Sequence, residues 1–354
     1  MENSFGFDCL LFEKCNLHCK FCLESHANNT IDLNWIQSLP NRLCDRFLQE
    51  TNTHPNIERI SFRIWGGELF ADSLKDFMFD EYENLVNNIK YKFKSAVPDK
   101  KLSFAFVSNG VFNKVDRVES LLINTGSSLN LSYDSYGRFN KESQEDLMID
   151  NAKNFHKAGL LDEISITLIK PSIIEYINNH SRLLELSFAK RIDINYYIPN
   201  VNWKTLLPSD DDLYDFFKWA LDNKLYQVID LHNMLRALSG KDKTCIKGCN
   251  CHNHISACKD CTTYNCVKSS TILPNSDFYG DAVITEENVS SLKRNKGMSK
   301  RGCLMCEHFS RCPGCCWTSV IFKHAQLQEC PFARTIEYIK DNQSILESFN
   351  KWNS

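Results

Sequence analysis

Apolar positions in the first two hundred residues recur with two different periods. Short runs rich in β-branched and aromatic side chains, at residues 6–12, 59–65, 102–107, 129–133, 163–168 and 191–198, read as six strands. Between them the spacing changes to three and four. Leu74, Phe77, Tyr82, Leu85, Val86, Ile89 and Phe93 form one apolar helix stripe, and Val115, Val118, Leu121 and Leu122 repeat it up to a stop at Gly126. Ile173, Ile174, Ile177 and Leu184 continue the pattern after Pro171, and Ser209 with three following aspartates reads as the cap and acidic first turn of a further helix. This alternation predicts an α/β fold with a parallel sheet. Six βα units are too few for a closed eightfold barrel. The expectation is therefore a partial (β/α)6 TIM-like barrel with ligands at the strand C-termini, whose open side takes a large substrate or is covered by the C-terminal region.

After Gly240 the periodicity stops, and the chain becomes rich in Cys, Asn, Lys and Gly. A segment so poor in apolar runs needs metal to hold it. The expected division is a barrel at 1–235, a Cys-rich domain at 236–335 and a C-terminal helix at 336–354.

Composition narrows the function. The chain has 354 residues, 43% of them hydrophobic, enough for a full core; 41 basic and 44 acidic residues leave a net charge of −3. That balance gives no footprint for nucleic acid or an anionic membrane surface. No apolar run approaches the roughly 20 residues that span a bilayer, and the start lacks the layout of a signal peptide, so a cytoplasmic location is expected. Seventeen cysteines in a reducing compartment point to metal ligation rather than disulfides. Three sit at Cys15, Cys19 and Cys22, twelve fall between Cys245 and Cys330, and Cys9 and Cys44 stand apart.

Cys15-x3-Cys19-x2-Cys22 follows the first strand directly, in the loop where a parallel α/β protein places its chemistry. Three thiolates on a tight loop suit three irons of a [4Fe-4S] cube and leave the fourth iron without a protein ligand. A tetrahedral zinc site is the alternative, with His18 or His26 as fourth ligand. The loop resembles that of the radical S-adenosylmethionine (SAM) superfamily. The resemblance implies that the open iron chelates SAM, whose one-electron cleavage gives methionine and a 5′-deoxyadenosyl radical.

It also implies a set of SAM-binding residues. Phe21 matches the aromatic residue before the third cysteine. Trp65-Gly66-Gly67-Glu68 resembles the GGE motif, with Gly66 and Gly67 for close backbone approach and Glu68 for the SAM ammonium. A plain turn with a solvated Glu68 is the alternative. Asn109 in Ser108-Asn109-Gly110, with a plain turn as the alternative, and Ser132 and Asp134 in Ser132-Tyr133-Asp134 resemble polar strand-end elements that face SAM, and Thr167 on the fifth strand is a candidate for the ribose, with an ordinary strand threonine as the alternative.

Cys303-x2-Cys306-x5-Cys312-x3-Cys316, with Cys330 thirteen residues on, resembles the SPASM extension, which holds two auxiliary [4Fe-4S] clusters. The resemblance implies that Cys303, Cys306, Cys312 and Cys330 hold one auxiliary cluster. Cys316 would serve the other, with Cys261 and Cys266 upstream. Asp281 stands where the family usually has a cysteine. It is expected as an unusual ligand or as a catalytic base; where it is no ligand, one of Cys245, Cys249, Cys251 and Cys258 substitutes or an iron stays open for substrate, and the alternative for that stretch, with His252 and His254, is zinc or a third cluster.

The family inference is a peptide maturase that uses SAM and three [4Fe-4S] clusters to crosslink side chains of a ribosomal precursor peptide, as a carbon-carbon cyclophane or a thioether. Its electron donor would be a flavodoxin or ferredoxin. Fourteen residues before Cys15 leave no room for a separate leader-binding domain there. An anaerobic sulfatase-maturating (formylglycine-generating) enzyme is the runner-up, and a zinc-rich binding module is the alternative from another class.

Overall fold

Six parallel strands follow one another across one sheet in chain order. In the computed structural model, which describes residues 4–22, 30–51, 57–196, 203–240, 254–257, 263–264, 306–308, 312 and 330–353, β1 (Ser4–Leu10) pairs with β2 (Arg59–Trp65). β3 (Lys101–Ser108), β4 (Ser128–Ser132), β5 (Leu161–Leu168) and β6 (Ile192–Tyr196) follow in turn. Between successive strands run α1 (Leu33–Thr51), α2 (Phe77–Ala96), α3 (Val115–Thr125), α4 (Glu142–Lys157) and α5 (Lys170–Ile177). This is the expected partial (β/α)6 barrel, a curled half-barrel.

Alternation sorts each strand's residues onto two faces. Phe5 and Phe7 of β1, Ile60, Phe62 and Ile64 of β2, and Phe104 and Phe106 of β3 belong to the core beneath the helices. Phe7, Phe62 and Phe104 stack in a row at 5.3 and 4.9 Å, and Phe93 of α2 meets Phe62 edge-on at 5.0 Å. The residues between them, including Asp8, Arg63 and Asn130, take the concave face.

β5 breaks the alternation once. Its register with β4 moves from Leu129↔Leu161 to Asn130↔Glu163, which leaves Asp162 as an extra residue. The bulge resets the phase: Leu161 faces the core, as do Ile164, Ile166 and Leu168 after it, and Glu163 turns onto the concave face.

Helix ends follow the sequence signals closely. Gly126 stops α3 in the left-handed conformation at φ 55°, and Ser209 caps α7 (Asp210–Asp222) in a reciprocal capping box with Asp212. The helix after Pro171 is shorter than its spacing suggests. It ends at Ile177, because Asn179 takes φ 54° and the His180 amide returns to the Glu175 carbonyl; Leu184 belongs to a separate 3-10 turn at Leu183–Leu186, and Ile174 is exposed.

Both edges of the six-stranded sheet gain partners. At β6, Ile192 bridges to Val228, between α7 and α8 (Ile229–Leu238). At β1, β7 (His254–Ala257) adds in parallel, and β8 (Thr263–Tyr264) pairs antiparallel with β7. The Cys-rich region thus contributes two strands to the barrel sheet. The short α6 (Trp203–Leu206) precedes α7. The C-terminal tail is two helices where one was expected, α9 (Pro331–Asp341) and α10 (Gln343–Trp352), meeting at Asn342. They pack on the end of the barrel, Phe332 on Phe217 at 5.3 Å and Phe349 on Tyr226 at 5.7 Å. No helix among the described residues is long and apolar enough to cross a membrane.

Candidate functional site

The cysteine loop is held by the turns that end its neighbouring strands. Past β1, Leu11 still donates to the Trp65 carbonyl at 2.9 Å. Gly67 and Glu68 then donate to the Phe12 and Lys14 carbonyls at 2.7 and 2.8 Å, so the turn after β2 lies along residues 11–14. The contact leaves no room for a side chain. A Cβ on Gly67 would sit 2.1 Å from the Lys14 carbonyl oxygen and 2.3 Å from that of Glu13, and one on Gly66 2.9 Å from that of Phe12. The close backbone approach expected of these glycines is made here to the cysteine loop.

Glu68 is not the solvated carboxylate of an exposed turn. It is 1% exposed, its Oε1 accepts from the Phe70 amide (3.0 Å) and the Ser108 hydroxyl (2.7 Å), and its Oε2 accepts from the Asn109 amide (2.7 Å). Burial pushes its pKa up to about 6 against the pull of these donors. A carboxylate offers about four acceptor sites, so one on Oε2 is left for an incoming donor.

Asn109 carries the connection on to the thiols. Its Nδ2 donates to Asn16 Oδ1 at 2.8 Å and lies 3.7 Å from Cys15 Sγ, and Asn16 in turn donates to the Val111 carbonyl at 2.7 Å. The Leu17 amide lies 3.4 Å from the same sulfur. Cys15, Cys19 and Cys22 are half-buried. Burial pushes the Cys15 thiol up to about 11 and raises that of Cys19. Thiols so placed stay protonated unless a metal takes their electrons, and amide N–H groups aimed at the sulfur suit anionic ligands. The donor set fits an iron-sulfur cluster with one iron unligated by protein. His26, one of the two zinc candidates, lies outside the described residues.

The end of β4 supplies the opposite wall. Asp134, fully buried, accepts from Arg138 Nε and Nη2 at 2.8 and 2.5 Å and from the Thr167 amide at 2.6 Å. Burial raises its pKa to about 6 despite the guanidinium. Arg138 also lies over the Phe21 ring, 5.4 Å from its centroid, where its guanidinium would be stabilised by Cys19 and Cys22 as thiolates. Gly137, at φ 72°, turns the chain so that its carbonyl accepts from the Lys20 amide at 3.1 Å. Arg138 thus joins Phe21 to Asp134, which in turn holds Thr167, and this arginine is one that the sequence reading did not single out. Its signal is an arginine four residues after the aspartate, meaningful once the intervening turn is known. Ser132 ends β4 on the concave face, half-buried.

Of the C-terminal cysteines, Cys306, Cys312 and Cys330 lie among the described residues. Cys312 and Cys330 pack against the barrel core, Cys330 as the residue that precedes Pro331 at the start of α9. Cys303, Cys316, Cys261, Cys266 and Asp281 lie outside the described residues. Glu307, His308 and Glu337 bring three ligand-type atoms within 4.8 Å of one another. Lys340 donates to Glu337 at 2.9 Å and its Nζ lies 3.4 Å from His308 Nδ1, so this cluster already contains its cation.

The whole chain is similar to solved structures. A histidine-tagged form of anSMEcpe with bound AdoMet superposes with a TM-score of 0.64 at 16% identity, over 96% of this chain and 97% of that one. Native anSMEcpe with bound AdoMet and Cp18Cys peptide gives 0.63 at 16% identity, over 98% and 99%. No protein-family model matches the chain, and no curated protein matches it by sequence.

Proposed function

We propose that the chain is a radical SAM enzyme that modifies a peptide. The observation that carries this reading is the brace around the cysteine loop: Gly67, Glu68 and Asn109, from the ends of β2 and β3, fix the loop that holds Cys15, Cys19 and Cys22. A shared fold with AdoMet-bound structures supports it. A [4Fe-4S] cluster on the three thiolates would supply the electron that splits SAM.

The chain's own groups supply the rest. The remaining acceptor site of Glu68 takes the SAM ammonium, and Arg138, fixed by Asp134, presents its guanidinium beside the cysteine loop. Ser132 and Thr167 line the approach. Cys303, Cys306, Cys312 and Cys330, with Cys316, Cys261 and Cys266, are the ligands we assign to two auxiliary clusters, and Asp281 is a ligand or base there; a flavodoxin or ferredoxin is the electron donor of the enzyme. The peptides bound in anSMEcpe structures support a peptide partner. The reaction we favour is side-chain crosslinking. The similarity to anSMEcpe, an anaerobic sulfatase-maturating enzyme, favours formylglycine formation as the second reading.

Anaerobically reconstituted protein given SAM and dithionite is expected to release 5′-deoxyadenosine, and its absence removes the proposal. A synthetic peptide carrying the sulfatase cysteine is expected to be recovered unchanged; its conversion to formylglycine would replace crosslinking by the second reading.

The role of Glu68 has its own signature. A cation binds its ionised form, so SAM affinity is expected to fall as pH drops through about 6. Glu68→Gln should lower affinity at neutral pH by roughly tenfold or more and flatten that dependence. Calorimetric titration across pH checks both, and an unchanged dissociation constant would restrict Glu68 to bracing the loop.

A further inference from the structure

The concave face carries an acidic patch with no part in the SAM site described above. Glu163 is turned onto this face by the bulge at Asp162 and stands in register with Asn130 of β4. Asp193 of β6 stands in register with Ser165, the next inward residue of β5. Among the described residues two guanidiniums, those of Arg63 and Arg191, act on these carboxylates, and both are engaged. Arg63 is bidentate on Asp8, through Nε–Oδ1 at 2.7 Å and Nη2–Oδ2 at 3.3 Å. Arg191 Nη2 is shared between Glu163 at 2.7 Å and Asp162 at 3.1 Å, and the Ser165 hydroxyl donates to Glu163 at 3.0 Å.

Two acceptors are left over. Asp193 makes no hydrogen bond among the described residues. Burial first, then the charge of Glu163, pushes its pKa up, and Asp230 adds to the repulsion while Arg63 and Arg191 oppose it. The second is Asn130 Oδ1, buried without a hydrogen-bond partner in a residue 5% exposed. An unpaired acceptor buried beside surplus negative charge is a costly arrangement for a fold to keep. Both defects call for the same complement, a cationic donor.

We infer that Asp193, Glu163 and Asn130 form a subsite for the ammonium or guanidinium of a lysine or arginine side chain in the substrate peptide. The inference rests on the peptide-modifying reading and deepens it. Glu163 lies four residues before Thr167 on the same face of β5, a distance of roughly 13 Å along the strand. Thr167 borders the SAM site through Asp134. An extended peptide covers that span in about four residues, so the basic residue is placed within a few positions of the one modified.

The test uses the reconstituted full-length holoenzyme with SAM. The probes are immobilised nonapeptides of alanine and glycine that differ only at the central residue, lysine, arginine, norleucine or glutamate. Wild-type protein should retain the lysine and arginine peptides over norleucine by roughly tenfold or more. Asp193→Asn should erase most of that preference at unchanged iron content and thermal midpoint, and Asp193→Glu should keep it. Asn130→Asp, which adds a carboxylate where the acceptor is unpaired, should increase it. Equal retention of the four peptides by wild type overturns the inference, as does full preference in Asp193→Asn. 5′-Deoxyadenosine formation without peptide is measured beside it: its absence removes the enzyme reading, whereas SAM cleavage with no charge preference overturns the subsite alone.

Discussion

Gly67→Ala is expected to strip the N-terminal cluster from the protein and abolish SAM cleavage, although residue 67 carries no chemistry. The added methyl group meets two backbone carbonyl oxygens, of Lys14 and Glu13, at distances no carbon atom tolerates. Backbone cannot swing aside as a long side chain does. Relief requires the turn after β2 to part from the cysteine loop, with loss of the hydrogen bonds from Gly67 and Glu68 to Phe12 and Lys14. The cost is on the order of 3 kcal/mol or more, concentrated at the loop that carries Cys15. Iron analysis and electron paramagnetic resonance of the reconstituted variant check the loss, with Gly159→Ala as the control for backbone strain away from the loop, since its φ of 73° strains an alanine while nothing stands within 4 Å of a Cβ there. Wild-type iron and activity in Gly67→Ala would mean that the two loops are not packed as described.

Replacing Cys15, Cys19 and Cys22 together by alanine is expected to reduce 5′-deoxyadenosine formation to background and remove roughly one third of the iron, the share of one cluster in three. The one imidazole between these cysteines, His18, cannot replace three thiolates. Asn16 and Asn109 are hydrogen-bonded to each other and to backbone, and a neutral amide is a poor partner for iron-sulfur. Iron and sulfide content, the residual cluster signal and the product assay are read on one preparation. SAM cleavage at the wild-type rate would move the active cluster elsewhere in the chain.

What could be read in advance follows the range of the interactions. Strands such as Arg59–Trp65 were legible to the residue, because alternating Ile60, Phe62 and Ile64 answer to a core that any helix could cover. Gly126 and Ser209 were legible because caps are local. The motif cysteines and the Gly-Gly-Glu turn were legible as chemistry, but the depth at which Glu68 is buried was not, since it depends on Ser108 and Asn109 forty residues on. Arg138 escaped notice because its meaning depends on a turn through Gly137. The bulge at Asp162 leaves no trace in composition, yet it decides which way Glu163 points. β7 alternates as His-Ile-Ser-Ala, but four residues in a cysteine-rich stretch are too short a run to stand out as a strand.

That last strand has a consequence for how the molecule is made. β1 is made before both of its neighbours in the sheet, which are supplied by residues 59–65 and 254–257. Synthesis at about 5 to 20 residues per second leaves one side of β1 exposed for some ten seconds or longer after the other is paired. Throughout that interval the strand leading into Cys15 has an unsatisfied edge, the feature of nascent sheets most prone to pairing with another chain. Closure by so distant a segment also adds a long-range contact to the fold, at a loop-entropy cost that grows only slowly with the span. The strand that leads into Cys15, Cys19 and Cys22 is thus completed by a segment of the cysteine-rich region made long after it.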